Sequence, residues 1–331
     1  DKDTFDYFGY HGDENIVITA CMDKTAINYN SNATMACDNC CEYPSEVSIY
    51  DIQYTLDSGT PVEEDEVVCY PSPYGITHEQ QYVKTTGTIT AVLHNDFRFY
   101  LQDFNSSNYA GMYVYNANDD DLQEMEGFGP VLGDNITISG KVDEHNGQTV
   151  LKDILLYQIN SSGSSITPAI ISNIDLANGC TEEGEKLEGM LVQINNIEIT
   201  GIDSWGDWYA QDDSGAEYII DNYIIDENDE TWPTPQNGEE MTSITGIVQN
   251  YKNEYSIQPR NNNDIVRSFW ADAGYDQAIL AGDEVILDGS GSNSIDGEIV
   301  DYFWEHMDGP SIGIEEEEDM ITSFTAPSGL G

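Results

Sequence analysis

The stretch Phe99-Tyr-Leu-Gln-Asp103 decides the fold, because it returns as Trp208-Tyr-Ala-Gln-Asp212 at an offset of 109 residues. A second pair of segments, Ile138-Ser-Gly-Lys-Val142 and Ile244-Thr-Gly-Ile-Val248, recurs at an offset of 106. Around them lie short runs of Val, Ile, Thr and Tyr separated by Gly, Asn and Asp, a pattern typical of strands and tight turns. The sequence therefore predicts an all-β protein with two copies of a five-stranded unit of about 100 residues.

The order of the predicted strands in each copy resembles the OB-fold, a five-stranded β-barrel. More narrowly, residues 48–266 resemble a tandem OB-like region of secreted bacterial proteins, where it lies beside nuclease or lamin-tail-type domains. The resemblance implies two tandem OB-like β-barrels, at residues 46–159 and 176–267, joined by a linker at residues 160–175. The segments that carry it are residues 48–54, 73–74, 87–90, 187–192 and 255–260.

The first 45 residues form a small cysteine-rich unit. Its segment Cys21-Met-Asp-Lys-Thr-Ala-Ile-Asn-Tyr-Asn30, followed by three further cysteines, resembles a short module of secreted bacterial surface proteins. A unit of this size has too little core to be stable alone, so we expect a disulfide from Cys21 to one of Cys37, Cys40 or Cys41. A structural zinc site made by the same four cysteines is the alternative.

The cysteines and the glycosylation signals predict a secreted chain at the cell surface. Six cysteines, an even number, suit disulfides in an oxidising compartment. Cys69 and Cys180 precede the first strands of the two barrel copies, and we expect a bridge between them. No stretch approaches 18 apolar residues, so no membrane insertion is predicted. Acceptor sequences for N-glycosylation begin at Asn32, Asn105, Asn135 and Asn160.

The C-terminal region, residues 268–331, resembles a PKD-type immunoglobulin-like β-sandwich, with Trp304 as its core tryptophan. In that family two further strands follow the Thr-Ala-Pro segment, so the resemblance implies an incomplete sandwich. Two explanations stay open: the tail was trimmed or not resolved, or strands from a neighbouring subunit complete the fold. The matching segments are residues 273–277, 285–292, 296–304, 309–311 and 324–327.

Charge excludes several classes of partner. The chain has 62 acidic and 10 basic residues, a formal net charge of −52. A nucleic-acid surface needs clustered Lys and Arg, and an anionic membrane would repel this chain, so we predict neither partner.

The acidic runs of the sequence predict calcium as the cofactor. Hard carboxylate oxygens clustered in loops are the ligands that calcium uses. None of the acidic runs follows the EF-hand spacing, and a solvated acidic surface is the alternative interpretation. The candidate ligands are Asp119, Asp120, Asp121, Asp212, Asp213, Asp226, Asp229, Asp288 and Asp296.

Catalytic motifs are lacking in the sequence. The five histidines are dispersed, and neither a G-x-S-x-G elbow nor a Gly-rich phosphate loop occurs. We therefore predict a non-enzyme. Trp205 or Trp208, if exposed, would suit a glycan ligand.

These features predict an extracellular structural protein that self-associates head to tail into a filament or adhesive fibre. Calcium, and strand donation between subunits, would stabilise the polymer. Two alternatives are kept: a non-catalytic accessory region of a secreted nuclease or hydrolase, and a carbohydrate-binding adhesin.

Overall fold

The computed structural model forms two compact units. The first comprises Asp1–Thr167, Glu185–Met190 and Asn250–Asn253, and the second comprises the rest of the chain. The domain boundaries given above stay predictions. The residues that the structure describes are 17–55, 60–63, 66–68, 70–75, 81–93, 98–115, 129–174, 176–177, 179, 181–225, 235–294 and 298–327.

Among the described residues up to Thr167, the first unit has one short helix and a closed barrel. Up to Thr167 its elements are β1 (Thr19–Ala20), β2 (Met35–Ala36), β3 (Ser45–Glu46), α1 (Ile49–Gln53), β4 (Thr60–Glu63), β5 (Glu66–Val68), β6 (Tyr82–Val92), β7 (Phe99–Gln102), β8 (Gly111–Val114), β9 (Asn135–His145) and β10 (Gln148–Ser161).

Five strands of this unit close into a barrel in the order β6-β7-β8-β10-β9, because β6 also pairs with β9. The core contains apolar side chains from every barrel strand, with Ile49 and Ile52 of α1 packed among them. Gly87 makes this packing possible, since a Cβ there would lie 3.0 Å from Ile49 Cδ1 and 3.2 Å from Leu101 Cβ.

The second unit repeats the barrel and adds a C-terminal region. From Pro168 onward the elements are β11 (Ala169–Ile170), α2 (Glu182–Leu187), β12 (Leu191–Ile202), β13 (Trp208–Asp212), β14 (Glu217–Ile220), β15 (Glu240–Tyr251), β16 (Glu254–Gln258), a 3-10 turn (Asn262–Asp264), β17 (Ile265–Arg267), β18 (Phe269–Trp270), β19 (Glu284–Asp288), β20 (Asn293–Ser294) and β21 (Ile321–Thr325).

The second barrel has the order β12-β13-β14-β16-β15, closed by the β12–β15 pairing. It is therefore the same arrangement as the first. The repeated sequence segments occupy equivalent strands, β7 with β13 and β9 with β15. The prediction of an all-β chain with two five-stranded barrels is confirmed, and the closed barrels are consistent with an OB-like fold.

The C-terminal region is held together by few contacts. Its described strands form only two-stranded ladders, β18 with β20 and β19 with β21. Trp304 is half-buried, and its indole Nε1 donates to Asp319 O at 2.8 Å. A Cβ on Gly289 would lie 3.2 Å from the Trp304 ring, so the glycine lets the indole pack against the end of β19.

The N-terminal module is stapled by two disulfides, Cys21–Cys41 and Cys37–Cys40. The bridge from Cys21 thus goes to one of the three partners considered, and the prediction of a disulfide-stapled module is confirmed. The Sγ atoms of Cys37, Cys40 and Cys41 lie within 4.8 Å of one another. Because the four sulfurs are paired as disulfides, the structure supports the disulfide interpretation over the zinc site.

Candidate functional site

Six of the nine predicted calcium ligands, and two of the six cysteines, lie outside the described residues. They are Asp119, Asp120, Asp121, Asp226, Asp229 and Asp296, and Cys69 and Cys180. The remaining three carboxylates, Asp212, Asp213 and Asp288, can be placed. Among the described residues, no three carboxylates bring their oxygens within 4.8 Å of one another.

Asp212 stabilises the turn between β13 and β14. Its Oδ1 accepts from Ser214 N at 2.8 Å and Ala216 N at 3.1 Å, and its Oδ2 accepts from Asn173 N at 3.2 Å and Tyr218 OH at 2.9 Å. Partial burial opposes the charged form, but these hydrogen bonds outweigh it and lower the pKa of Asp212 to about 2. Both oxygens are therefore occupied by donors of the chain.

Asp213 and Asp288 are exposed turn residues. Asp213 lines an acidic cleft of about 370 Å³ on the second barrel, together with Glu198 and Glu240. Hydrogen bonds from the Ser290 hydroxyl and backbone lower the pKa of Asp288, as in an Asx turn. Apart from Asp212, which precedes Asp213 in the chain and lines the same cleft, neither carboxylate is brought beside another predicted ligand within the described part of the chain.

The second barrel also has an acidic aromatic face, defined by Asp203, Trp205, Asp207, Tyr209, Asp221 and Glu254. Asp203 builds its loop, because Oδ1 accepts from Trp205 N at 2.7 Å, Gly206 N at 2.9 Å and Asp207 N at 3.1 Å. This arrangement holds Trp205 outward, where its side chain is 87% exposed.

Charge accumulates on this acidic aromatic face. Burial, and then the nearby carboxylates of Asp221, Asp203 and Glu254, raise the pKa of Asp207 to about 6. Tyr209 is 41% exposed, and burial, followed by the charges of Asp203, Glu254 and Asp207, raises its pKa. A face with exposed rings and concentrated negative charge can bind hydroxyl-rich or cationic ligands.

One aromatic candidate was wrong. Trp208, considered as an exposed glycan-binding residue, is 1% exposed because it faces the interior of the second barrel from the start of β13. Trp205, three residues earlier, is the exposed indole. The alternation of sides along a strand separates Trp208 from the exposed Tyr209 beside it.

The C-terminal region has an apolar groove, which we call the C-terminal groove. It has a volume of about 470 Å³, and its lining includes Phe269, Ile299, Phe303 and Trp304. Phe303 is 71% exposed and Phe269 is 55% exposed. Exposed apolar surface of this kind marks a site of interaction.

The four glycosylation sequons differ in accessibility. Asn32, Asn105 and Asn160 are exposed, whereas Asn135 is half-buried on β9. The Asn135 Nδ2 donates to Thr88 Oγ1 at 3.2 Å, and its Oδ1 accepts from Asn160 Nδ2 at 3.1 Å. Glycosylation at all four positions stays a prediction, with Asn135 the least accessible.

Sequence reasoning did not single out Glu144 and Glu188, which both bind Thr149 inside the first unit. Glu188 is 1% exposed, and Glu144 is partly exposed. Burial, and for Glu144 also the charge of Glu188, raises the pKa of both carboxyls well above their usual range. No local motif marks either glutamate, because their proximity arises from contacts between distant segments.

No helix among the described residues is long and apolar enough to cross a membrane. The disulfides indicate an oxidising environment. Comparison of the chain with protein-family models and with curated proteins finds no match.

Proposed function

We propose that this chain is a non-catalytic, extracellular structural protein whose C-terminal region binds a strand of a second copy, so that copies join head to tail into a fibre. The observation that carries the proposal is the apolar surface of residues 269–327. Val300 is 84% exposed and Phe303 is 71% exposed. Residues 298–306 form no strand in the structure, so these exposed apolar side chains are not packed in a sheet.

The described strands of this region are too few to bury these side chains. Residues 271–294 and 298–327 bury only Val285, Thr322 and Ala326 among side chains larger than glycine. β19 pairs only with β21 among the described strands, and its Ile286 O accepts from Gln277 Nε2 at 2.6 Å, so a further strand on that edge would have to displace this side chain.

Calcium is proposed as the cation that permits assembly. Copies with a net charge of −52 repel one another, and divalent ions between acidic loops would neutralise the facing carboxylates. A heterologous contact repeated without closure produces a fibre rather than a ring. The acidic runs of the sequence at residues 118–121 and 226–230 are the proposed positions.

Measurements of particle size test whether copies of the chain polymerise. We expect light scattering and negative-stain microscopy to show calcium-dependent polymers that EDTA dissociates. Phe303→Asp should abolish polymers without lowering the melting temperature, because the side chain is already exposed in the single chain. Ile170→Asp, at a 70% exposed residue outside the C-terminal groove, is the control and should polymerise normally. A wild-type chain that stays monomeric at high concentration with calcium would contradict the proposal.

A second candidate, a carbohydrate-binding adhesin, is supported by Trp205 on the acidic aromatic face. An outward indole beside carboxylates suits the apolar face and hydroxyl groups of a sugar. A glycan array should show binding by the wild type and loss of at least about 1 kcal/mol, roughly fivefold in affinity, in Trp205→Ala. Tyr223→Ala, at another exposed ring of the same barrel, is the control. No binding by the wild type rejects this candidate.

A third proposal, an accessory region of a secreted nuclease or hydrolase, rests on the tandem-barrel resemblance alone. A catalytic domain in a longer product of the same gene would support it.

A further inference from the structure

The Cys37–Cys40 disulfide lies near the surface of the N-terminal module. The two cysteines are three residues apart in the chain, and both are partly exposed. Asp38 and Asn39, which lie between them, are exposed. Access of a thiol is one of the factors that set the rate of thiol–disulfide exchange. A thiol in solution can therefore reach this bridge.

The Cys21–Cys41 disulfide has a different environment. Cys41 is partly exposed, but Cys21 is only 1% exposed. A thiol that attacked Cys41 would expel Cys21 as a thiolate at a buried position, where an unpaired charge is costly. Because the leaving thiolate strongly affects the rate of exchange, this bridge is the less reactive of the two.

Hydrogen bonds hold both ends of the Cys37–Cys40 bridge independently of the sulfur atoms. Cys37 N donates to Ala20 O at 3.2 Å. Asn28 Nδ2 donates to Cys40 O at 2.7 Å. Asn28 Oδ1 also accepts from Glu42 N at 3.0 Å, which fixes the chain just after Cys40. The module can therefore keep its backbone arrangement when this bridge is open.

We propose that Cys37 and Cys40 form a thiol-exchange site, whereas the Cys21–Cys41 disulfide keeps the module folded. An external thiolate attacks one sulfur of the Cys37–Cys40 bridge, forms a mixed disulfide with it and expels the other cysteine as a thiolate, which takes up a proton. A second external thiolate then attacks the sulfur of the bound thiol and releases the remaining cysteine. Two external thiols are thus oxidised to one disulfide, and their two electrons reduce the bridge to two thiols.

Charge determines which thiols react. Asp38 lies between the two cysteines, and Glu42 follows Cys40 by two residues. These carboxylates repel a thiol that carries a carboxylate and attract one that carries an ammonium group. The substrate class is therefore cationic thiols. The charged residues of positions 17–46 are four acids and one base: Asp23, Asp38, Glu42, Glu46 and Lys24.

Trapping of newly formed thiols tests the site in the native full-length chain. Cysteamine, a cationic thiol, is added at low concentration, and iodoacetamide caps free thiols after set times. Mass spectrometry with peptide fragmentation assigns each label to one cysteine. We expect Cys37 and Cys40 to be labelled at least about tenfold faster than Cys21 and Cys41. Equal rates at the four cysteines, or earlier labelling of Cys21, would overturn the proposal.

A second thiol tests the charge preference. Thioglycolate, an anionic thiol, replaces cysteamine, and each rate is divided by the rate of the same thiol with a neutral model disulfide. At low ionic strength we expect cysteamine to open the Cys37–Cys40 bridge at least about threefold faster on this scale, and added sodium chloride should reduce the difference. Equal normalised rates at low salt would contradict the preference for cationic thiols.

Paired serine variants separate an exchange site from a structural bridge. Trypsin reports the state of the module, because Lys24 is the only Lys or Arg between positions 17 and 83. Cys37→Ser combined with Cys40→Ser should be cut after Lys24 as slowly as the wild type, since the backbone hydrogen bonds remain. Cys21→Ser combined with Cys41→Ser is the matched comparison and should be cut faster. Equally fast cutting of both variants would show that Cys37–Cys40 is structural and would overturn the proposal.

Discussion

Asp212 shows how a single residue can be misread when only its charge is considered. The acidic pair Asp212-Asp213 suggested calcium ligands, yet the oxygens of Asp212 receive hydrogen bonds from Asn173, Ser214, Ala216 and Tyr218. The sequence contains the signal for this role in the Asp-Asp-Ser-Gly turn, since Asp commonly accepts from backbone two residues on. Asp103 repeats the pattern in the first copy, where its Oδ1 accepts from Asn105 N at 3.0 Å.

The pH dependence of stability tests the role of Asp212. Its pKa is lowered to about 2 in the folded chain, below the ordinary value of 3.8. The stabilisation is therefore present above pH 4 and is lost as pH falls from 4 towards 2. Asp212→Asn removes the charge-assisted bonds and should lower the free energy of unfolding by about 1–3 kcal/mol at neutral pH.

Urea denaturation between neutral pH and pH 2 measures this difference. The wild type and Asp212→Asn should converge in stability at the acidic end. Asp213→Asn, which changes the neighbouring exposed carboxylate, is the control and should follow the wild type throughout. A constant gap between the wild type and Asp212→Asn across this pH range would contradict the assigned role.

At the scale of elements, the internal repeat of the sequence predicted which strands are equivalent in the two barrels. Gly140 and Gly246 occupy equivalent positions of β9 and β15, which the repeat had aligned. A Cβ on Gly140 would lie 2.6 Å from Lys152 O, and one on Gly246 would lie 2.7 Å from Gln258 O. Both glycines thus permit the close backbone approach of the following strand, a typical reason for glycine within a strand.

The sequence pattern did not predict contacts between residues far apart in the chain. Glu188 contacts Thr149, 39 residues away, and Gln53, 135 residues away. No spacing rule links such positions, because tertiary packing of separate elements brings them together. The same limit applied to solvent exposure at Trp205 and Trp208. The sequence shows two tryptophans, but it does not show which of them faces solvent.

At the scale of the whole molecule, the 62 acidic residues far outnumber the 10 basic ones and give a formal net charge of −52. Several of these are used in local ion pairs of the described part, such as Arg260 with Asp264, where Nη2 and Oδ1 lie 2.8 Å apart. Arg267 Nε likewise lies 3.2 Å from Glu239 Oε1. Most carboxylates therefore repel one another across the surface, and the folded chain concentrates this repulsion more than the unfolded chain does.

Salt should consequently stabilise the chain. Raising sodium chloride from about 0.05 M to about 0.5 M shortens the Debye length to a few ångströms, so repulsion between exposed carboxylates is screened. We expect the melting temperature of the calcium-free chain to rise with salt, equally for sodium and potassium chloride. Calorimetry with EDTA present measures it, because EDTA chelates any calcium and leaves only the screening effect of the salt. A melting temperature that stays constant or falls with salt would mean that surface repulsion does not limit the stability of this fold.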